Sequence, residues 1–242
     1  MKDKGQGVAA SKKRSLMALA LLVIALIGVA VFALLPREPR YEGRTLSAWL
    51  SEYDIRFDAK YIRTVRPEKT KADEAVLHIG TNGFPVLLHM LWVRDSAFKE
   101  KLAGLSEKTH FHIDFTPAWQ SNWRAVMAFD ALGAAGKEAV PALVRGLTNS
   151  HWSVRMNAAR ALAAVRAAPE LAVPSLVKTL EDTNDLVRVE TATALQLYGR
   201  AAKPAVPVLL KMLNDPDSNI QAGAGRALWA IDPEAARKVG IP

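Results

Sequence analysis

Cysteine is absent from all 242 residues, which removes disulfides, zinc–thiolate sites and cysteine nucleophiles together. A chain without thiols suits a reducing or an oxidising compartment equally. Several short catalytic signatures are missing as well: no Gly-rich phosphate loop, no serine-centred elbow and no HExxH zinc pair. Large excess charge is lacking too, although the formal balance is +8. Residues 1–35 hold five basic side chains (Lys2, Lys4, Lys12, Lys13, Arg14) against Asp3 alone. Subtracting them from the totals of 32 and 24 leaves 27 basic and 23 acidic residues, weak grounds for a phosphate-binding surface.

What is present begins with an apolar run. Leu16 to Leu35 is twenty residues without a charge. A helix of that length spans about 30 Å, the thickness of a bilayer's hydrocarbon core. The run follows Ser11-Lys12-Lys13-Arg14 and precedes Pro36-Arg37-Glu38-Pro39. It reads as a signal anchor over 15–35 behind a basic tail over 1–14. The rival reading is a cleaved secretory signal, whose apolar region is shorter, about 7–15 residues, with Gly28-Val29-Ala30 as a poor cleavage site. Five positive charges precede the helix, and Arg37, Arg40 and Arg44 follow it closely. That bias predicts a single-pass chain with a cytoplasmic N-terminus and a periplasmic or otherwise extracytoplasmic C-terminal domain.

The C-terminal half matches itself. Val140-Pro141-Ala142-Leu143-Val144-Arg145-Gly146-Leu147 recurs at Val173-Pro174-Ser175-Leu176-Val177-Lys178-Thr179-Leu180. It recurs again at Val206-Pro207-Val208-Leu209-Leu210-Lys211-Met212-Leu213, with an offset of 33 residues both times. A second block keeps the same offset: Ser153-Val154-Arg155 leads to Ala161-Leu162, Leu186-Val187-Arg188 to Ala194-Leu195, and Asn219-Ile220-Gln221 to Ala227-Leu228. Each repeat therefore predicts two short helices. Proline in the opening turn of the first costs little, because N–H groups there lack intrahelical partners. Val140, Leu143, Val144 and Leu147 form one helical stripe, and Val154, Ala158, Ala161, Leu162 and Val165 another. Polar turns at 148–150, 182–184 and 214–217 separate the helices and supply caps to the second. One pair cannot bury both its sides, so the units must stack.

The pattern V-P-x-L-(V/L)-(K/R)-x-L, then a polar turn, V-R and A-x-x-A-L, resembles HEAT repeats over residues 118–238. Its short spacing is similar to the bacterial variety labelled phycobilisome-lyase-like. Phe84 to Leu91 matches the first-helix block and Trp123 to Leu132 the second, with an insertion over about 94–118 between them. Lys71 to Ile79 reads as one more helix, and Tyr41 to Leu50 resembles the segment preceding such repeats in membrane-anchored bacterial proteins. The implied fold is all-α: a right-handed solenoid of about four HEAT-like helix pairs over 71–242. It follows one transmembrane helix and a juxtamembrane linker or pre-repeat segment over 36–70.

The resemblance implies that Arg155 and Arg188, with the turn residues Asn149, Asp182 and Asp215, link adjacent repeats structurally; Gln221 replaces the arginine in the last unit. The side of the second helices facing away from their stripe carries Trp152, Met156, Arg160 and Ala163. Its equivalents are Asp185, Val189, Thr193 and Gln196, then Ser218, Ala222, Arg226 and Trp229. Trp152, Met156, Arg160, Val189, Thr193, Gln196, Arg226 and Trp229 are the candidate partner-binding residues, a mixture of aromatic, aliphatic and arginine side chains that suits a protein or peptide. The competing account has Trp152 and Trp229 merely finishing the ends of packed helices.

In the insertion, His110, His112 and Asp114 would share one side of a strand and could converge on a metal, although the run equally describes an amphipathic segment with Phe111, Ile113 and Phe115 turned inward. The di-iron hydroxylases that share the HEAT fold carry His-Glu pairs. Here the five histidines precede Ile79, Met90, Phe111, Ile113 and Trp152, never glutamate. The expectation is a membrane-anchored scaffold or adaptor without catalysis or cofactor, binding a protein or peptide on its concave helical face. The alternatives are a metal-dependent enzyme using the insertion histidines, and a nucleic-acid-binding solenoid. The latter is disfavoured, because the row offers only Arg160 and Arg226, offset by Asp185.

Overall fold

A computed structural model describes residues 38–53, 70–96 and 116–241, with 23, 99 and 101. Apart from Val23, the apolar run 16–35 lies outside the described residues, as do His110, His112 and Asp114. Among the described residues no helix is long and apolar enough to cross a membrane. The chain divides into two compact units, Met1–Glu38 and Pro39–Pro242, and every element named below belongs to the second.

That unit opens with a tight hairpin. Arg40–Tyr41 (β1) pairs antiparallel with Arg44–Thr45 (β2), with Arg40 opposite Thr45. Glu42 and Gly43 both take positive φ, the geometry that lets a two-residue turn follow the twist of its strands. Thr45 then caps a short helix, Leu46–Leu50 (α1), its side chain accepting from the Ala48 N–H. Leu46, Trp49, Leu50 and Tyr53 are all buried, so this part of the 36–70 segment is built into the core. Tyr53 donates to Asp73 at 2.7 Å, tying it to Lys71–Ile79 (α2). Thr70 and Asp73 close a reciprocal capping box at the start of α2.

Four helix pairs follow, the last three at the 33-residue offset. They are Phe84–Trp92 (α3) with Ala118–Leu132 (α4), and Val140–Gly146 (α5) with Trp152–Val165 (α6). Next come Pro169–Thr179 (α7) with Asp185–Tyr198 (α8), and Val206–Met212 (α9) with Ser218–Ile231 (α10). Helix α4 packs on α6, α6 on α8 and α8 on α10. Alanines let them approach: Ala128, Ala161, Ala194 and Ala227 recur at one position, all fully buried. Gly146 marks the closest crossing, since a Cβ there would lie 2.6 Å from the Trp92 ring and 3.0 Å from Ala158. One hydrophobic cluster runs from Leu46 to Ile231. A last helix, Pro233–Lys238 (α11), buries Ala236 against α10.

Three details differ from the sequence reading. Helix α4 starts five residues before Trp123, because the Asp95 carboxylate accepts from the Ala118 N–H at 3.0 and 3.1 Å and fixes the chain there. Helix α6 is capped by His151, one residue beyond the polar turn, whereas Asn184 and Asp217 cap α8 and α10 from within theirs. Helix α7 begins at Pro169, so Pro174 falls inside it instead of in its first turn. In the neighbouring repeats the equivalent residues form 3-10 turns, Gly133–Ala139 and Gly199–Ala205, opened by glycines at φ +48° and +55°. Arg166 occupies that position after α6 with φ +49°, and Ala168 follows at +47°.

Candidate functional site

The polar turns determine how the second helices are presented. Asp182 Oδ1 accepts from the Asn184 N–H and Asp215 Oδ1 from the Asp217 N–H. The Asn149 side chain does the same for His151. These turns hold their carboxylates where an arginine of the preceding repeat reaches them. Arg155 grips Asp182 with two donors, at 2.6 and 2.7 Å, while its third nitrogen reaches the Asn149 and Ser150 carbonyls. The Arg155 guanidinium holds the Asp182 carboxyl below its ordinary range, against the opposing effect of burial; the same bond raises Arg155. Arg188 reaches Asp215 at only 3.4 Å and shares itself with Asp185 at 2.9 Å. The expected structural ladder is therefore present at two junctions, unevenly, while the bonds that Asn149 makes among the described residues stay within its own repeat, because the arginine's position before it is Asn122.

Two further contacts lock the junctions. Asn122, which occupies the arginine's position in the first pair, donates to the carbonyls of Met90, Leu91 and Val93. Tyr198 donates to the Leu162 and Ala167 carbonyls beside the strained Arg166–Ala168 connection. Burial, with a smaller contribution from the Glu170 charge, pushes its hydroxyl up to about 12.

With one side of each second helix fixed in the core, the opposite side faces solvent. Trp152 and Trp229 are 38% and 39% exposed, Arg226 and Ser218 are exposed, and Met156, Arg160, Val189, Thr193 and Gln196 are half-buried. Ala163 is the exception in the row and is buried. Arg160 pairs with Glu190 at 2.5 Å, joining α6 to α8 across the face. The Thr193 hydroxyl is turned back onto the Val189 carbonyl. Both tryptophans are packed on one side: His151 stacks beside Trp152 at 6.0 Å, and the Arg237 guanidinium lies 5.2 Å from the Trp229 ring.

The same register continues into α4, to which the sequence extends the repeat but not the candidate binding row. Trp119 stands 33 residues before Trp152, and Trp123 33 before Met156. Trp119 is 47% exposed and Trp123 half-buried. Gly133 and Gly199, 66 residues apart and both at the helix end, were the signal that would have carried the register back. Exposed Leu186 and Leu197 widen the face on α8. Among the described residues, no group of three His, Asp or Glu side chains is placed to hold a metal ion.

No curated protein matches the chain. Among solved structures, it is similar to two engineered proteins crystallised by the Northeast Structural Genomics Consortium. The first shares 24% identity at a TM-score of 0.41, covering 76% of this chain and 77% of that one. The second shares 26% at 0.34, covering 65% of this chain, which spans about half (49%) of that protein's length. A family model described as HEAT repeats matches residues 116–196 and 173–239, which together cover just over half of the sequence and correspond to the run of helices from α4 to α11. The chain belongs to the HEAT-repeat family.

Proposed function

We propose that the chain is a membrane-tethered HEAT-repeat scaffold or adaptor that grips a protein or peptide partner on the concave face formed by its second helices. The observation that carries this reading is the exposed row itself. The row presents Trp152, Met156, Val189, Arg226 and Trp229, exposed or half-buried, on helices whose opposite sides are sealed in one core. Large, rigid side chains held at fixed spacing cost little entropy to immobilise, which is what a recognition surface requires. The second helices also pack successively on one another, α4 on α6, α6 on α8 and α8 on α10, which supports a continuous surface along the row.

The tether rests on the uncharged run Leu16–Leu35 and the basic residues before it. Their charge bias supports a cytoplasmic N-terminus and an extracytoplasmic repeat domain. Catalysis and cofactors have no part in this reading.

In-cell crosslinking, detergent extraction and capture of the tagged full chain test it, with a Trp152→Ala/Arg160→Ala/Trp229→Ala variant alongside. Recovery of one specific protein with the wild type and its loss with the variant is the expected result. A membrane-extracted chain that captures nothing, or captures the same protein after the triple substitution, rejects the face.

A further inference from the structure

The second helices of the three regular repeats start from one cap position, and one of the three caps is out of character. Positions 151, 184 and 217 are His, Asn and Asp, 33 residues apart, and each side chain accepts from an N–H of its helix's first turn. Asn and Asp are among the residues preferred there and histidine is not, so capping alone does not account for His151. The cap also fixes the ring's hydrogen. Nδ1 accepts from the Ser153 N–H at 3.3 Å, so the neutral imidazole carries its hydrogen on Nε2, a donor that no described residue uses.

His151 is one wall of a cavity of about 450 Å³ between the end of α3 and the start of α6, lined also by Trp92, Arg94, Asp95 and Ser96. That volume falls within the range of small-ligand sites. Its walls offer hydrogens more than lone pairs. Arg94 is exposed and makes no ion pair among the described residues. The Ser96 hydroxyl oxygen accepts from the Lys99 N–H, which leaves its own hydrogen to give. Asp95, the carboxylate among the lining residues, is already engaged: it accepts from the Lys99 ammonium at 2.7 Å and from the Ala118 N–H at 3.0 and 3.1 Å. Lys99 offsets its charge, so the Arg94 charge is the local excess. Trp92 is half-buried with its ring edge against Gly146, which makes it a flat apolar wall held by packing. We propose that this cavity binds a carboxylate attached to a flat apolar group. The carboxylate takes Arg94, the Ser96 hydroxyl and the His151 Nε2–H, and the apolar part lies on Trp92. A phosphate dianion suits the cavity less, because one guanidinium stands beside Asp95. Two sources supply this chemistry: a free small acid, or the C-terminus of a partner peptide, since the His151 ring stacks beside Trp152 at 6.0 Å and the cavity adjoins the row.

Titration of the full chain in detergent micelles, followed through the indole N–H resonances of its six tryptophans, tests it. Phenylacetate and, separately, N-acetyl-Ala-Phe with a free C-terminus are the probes, and phenylacetamide is the neutral control. The Trp92 resonance, identified by Trp92→Phe, should move with one or both acids while that of Trp229 stays in place; the tighter acid identifies the source. Arg94→Gln should weaken the acid by about tenfold, the loss of one charge-assisted hydrogen-bonded pair, with the melting midpoint unchanged. His151→Asn should also keep the midpoint, since Asn184 caps α8 in the same way, and weaken the acid about threefold through one lost neutral hydrogen bond. Lys178→Gln, which removes a charge from α7, should leave binding within about twofold. A Trp92 resonance unmoved at millimolar acid, or moved equally by phenylacetamide, would overturn the proposal. So would an affinity indifferent to Arg94→Gln or to His151→Asn, or tighter binding of phenyl phosphate than of either acid. A marked drop in the melting midpoint of Arg94→Gln would reveal a structural role for the guanidinium and overturn it as well.

Discussion

The first helix pair and the middle pairs meet one requirement with different chemistry. Where α6 and α8 begin, an arginine reaches across to the next repeat's turn, and a carboxylate receives it. Where α4 begins, the same position is Asn122, a neutral amide whose two hydrogens serve three carbonyls at the end of α3. A buried amide satisfies backbone groups without a counter-ion and is indifferent to pH. An ion pair gains geometric specificity from its two-pronged fit but makes the junction dependent on protonation. The neutral form stands beside the insertion, where no following turn supplies a carboxylate, and the ionic form stands where the repeat is regular.

The comparison presupposes one continuous core, and the largest predicted effect tests that. Leu195→Asp places an unpaired charge where the wild-type side chain has no exposed surface, at a cost of roughly 4 kcal/mol or more. Loss of structure should register at both ends of the array in one thermal transition; a melt in which only one end is lost would mean the pairs are not a single unit. Asn122→Ala comes next, leaving three inward-facing carbonyls without their donor. Denaturant titration should show a loss of about 2–3 kcal/mol, and a loss under about 0.5 would mean that water replaces the amide.

The ionic junctions should yield less and differ from each other. Asp182→Asn removes a short bidentate pair whose two side chains are 14% and 9% exposed, and should cost about 1–2 kcal/mol. Asp215→Asn, at a longer and shared contact, should cost under about 1 kcal/mol. Equal costs would erase the distinction drawn from geometry.

Acid sharpens the same contrast. Folding lowers the Asp182 pKa, chiefly through Arg155, so the stabilisation is complete above the unfolded value of about 4 and is lost as pH falls through the folded value. The Asn122→Ala variant should keep this acid sensitivity, while Asp182→Asn should flatten it in stability curves measured between neutral pH and acid. The smallest effect belongs to the connection after α6. Arg166→Gly should stabilise by roughly 0.5–1 kcal/mol by relieving a left-handed backbone, less whatever its long 3.6 Å contact with Asp130 contributes. A clear destabilisation would show that the contact matters more than the backbone.

How much of this was legible depends on what each residue has to repeat. The helix pairs were visible because Val-Pro, Val-Arg and Ala-Leu return at one interval, and packing demands similar shapes at similar places. The face of α6, α8 and α10 followed from that interval and the helical angle. Asn122 was not visible as a junction residue, because it performs the arginine's task with another residue type; only the carbonyls at the end of α3 reveal it. Trp123 is legible as part of a second helix, but its place in the row, and that of Trp119, is masked because the stretch before Trp123 lacks the Val-Arg signature. The early start of α7 was hidden for a different reason. Its boundary is set by the missing glycine at 166, which removes the 3-10 turn found in its neighbours, and a helix pattern read forward from Pro174 cannot see that.

The Arg155–Asp182 link also bears on how such a chain can grow. Its donor and acceptor lie in successive repeats, and the α7–α8 repeat supplies one of each: Asp182 below and Arg188 above. A 33-residue block copied in tandem from this region would arrive carrying both halves of its own attachment. Duplication could lengthen the array without any new contact having to be invented. The outer positions read differently. Gln221 bonds back to the Asp215 carbonyl of its own turn, and Asn122 to the helix before it, so neither hands a charge onward. A unit copied from either of these positions would carry no arginine half of the link, whereas one copied from the middle would carry both halves.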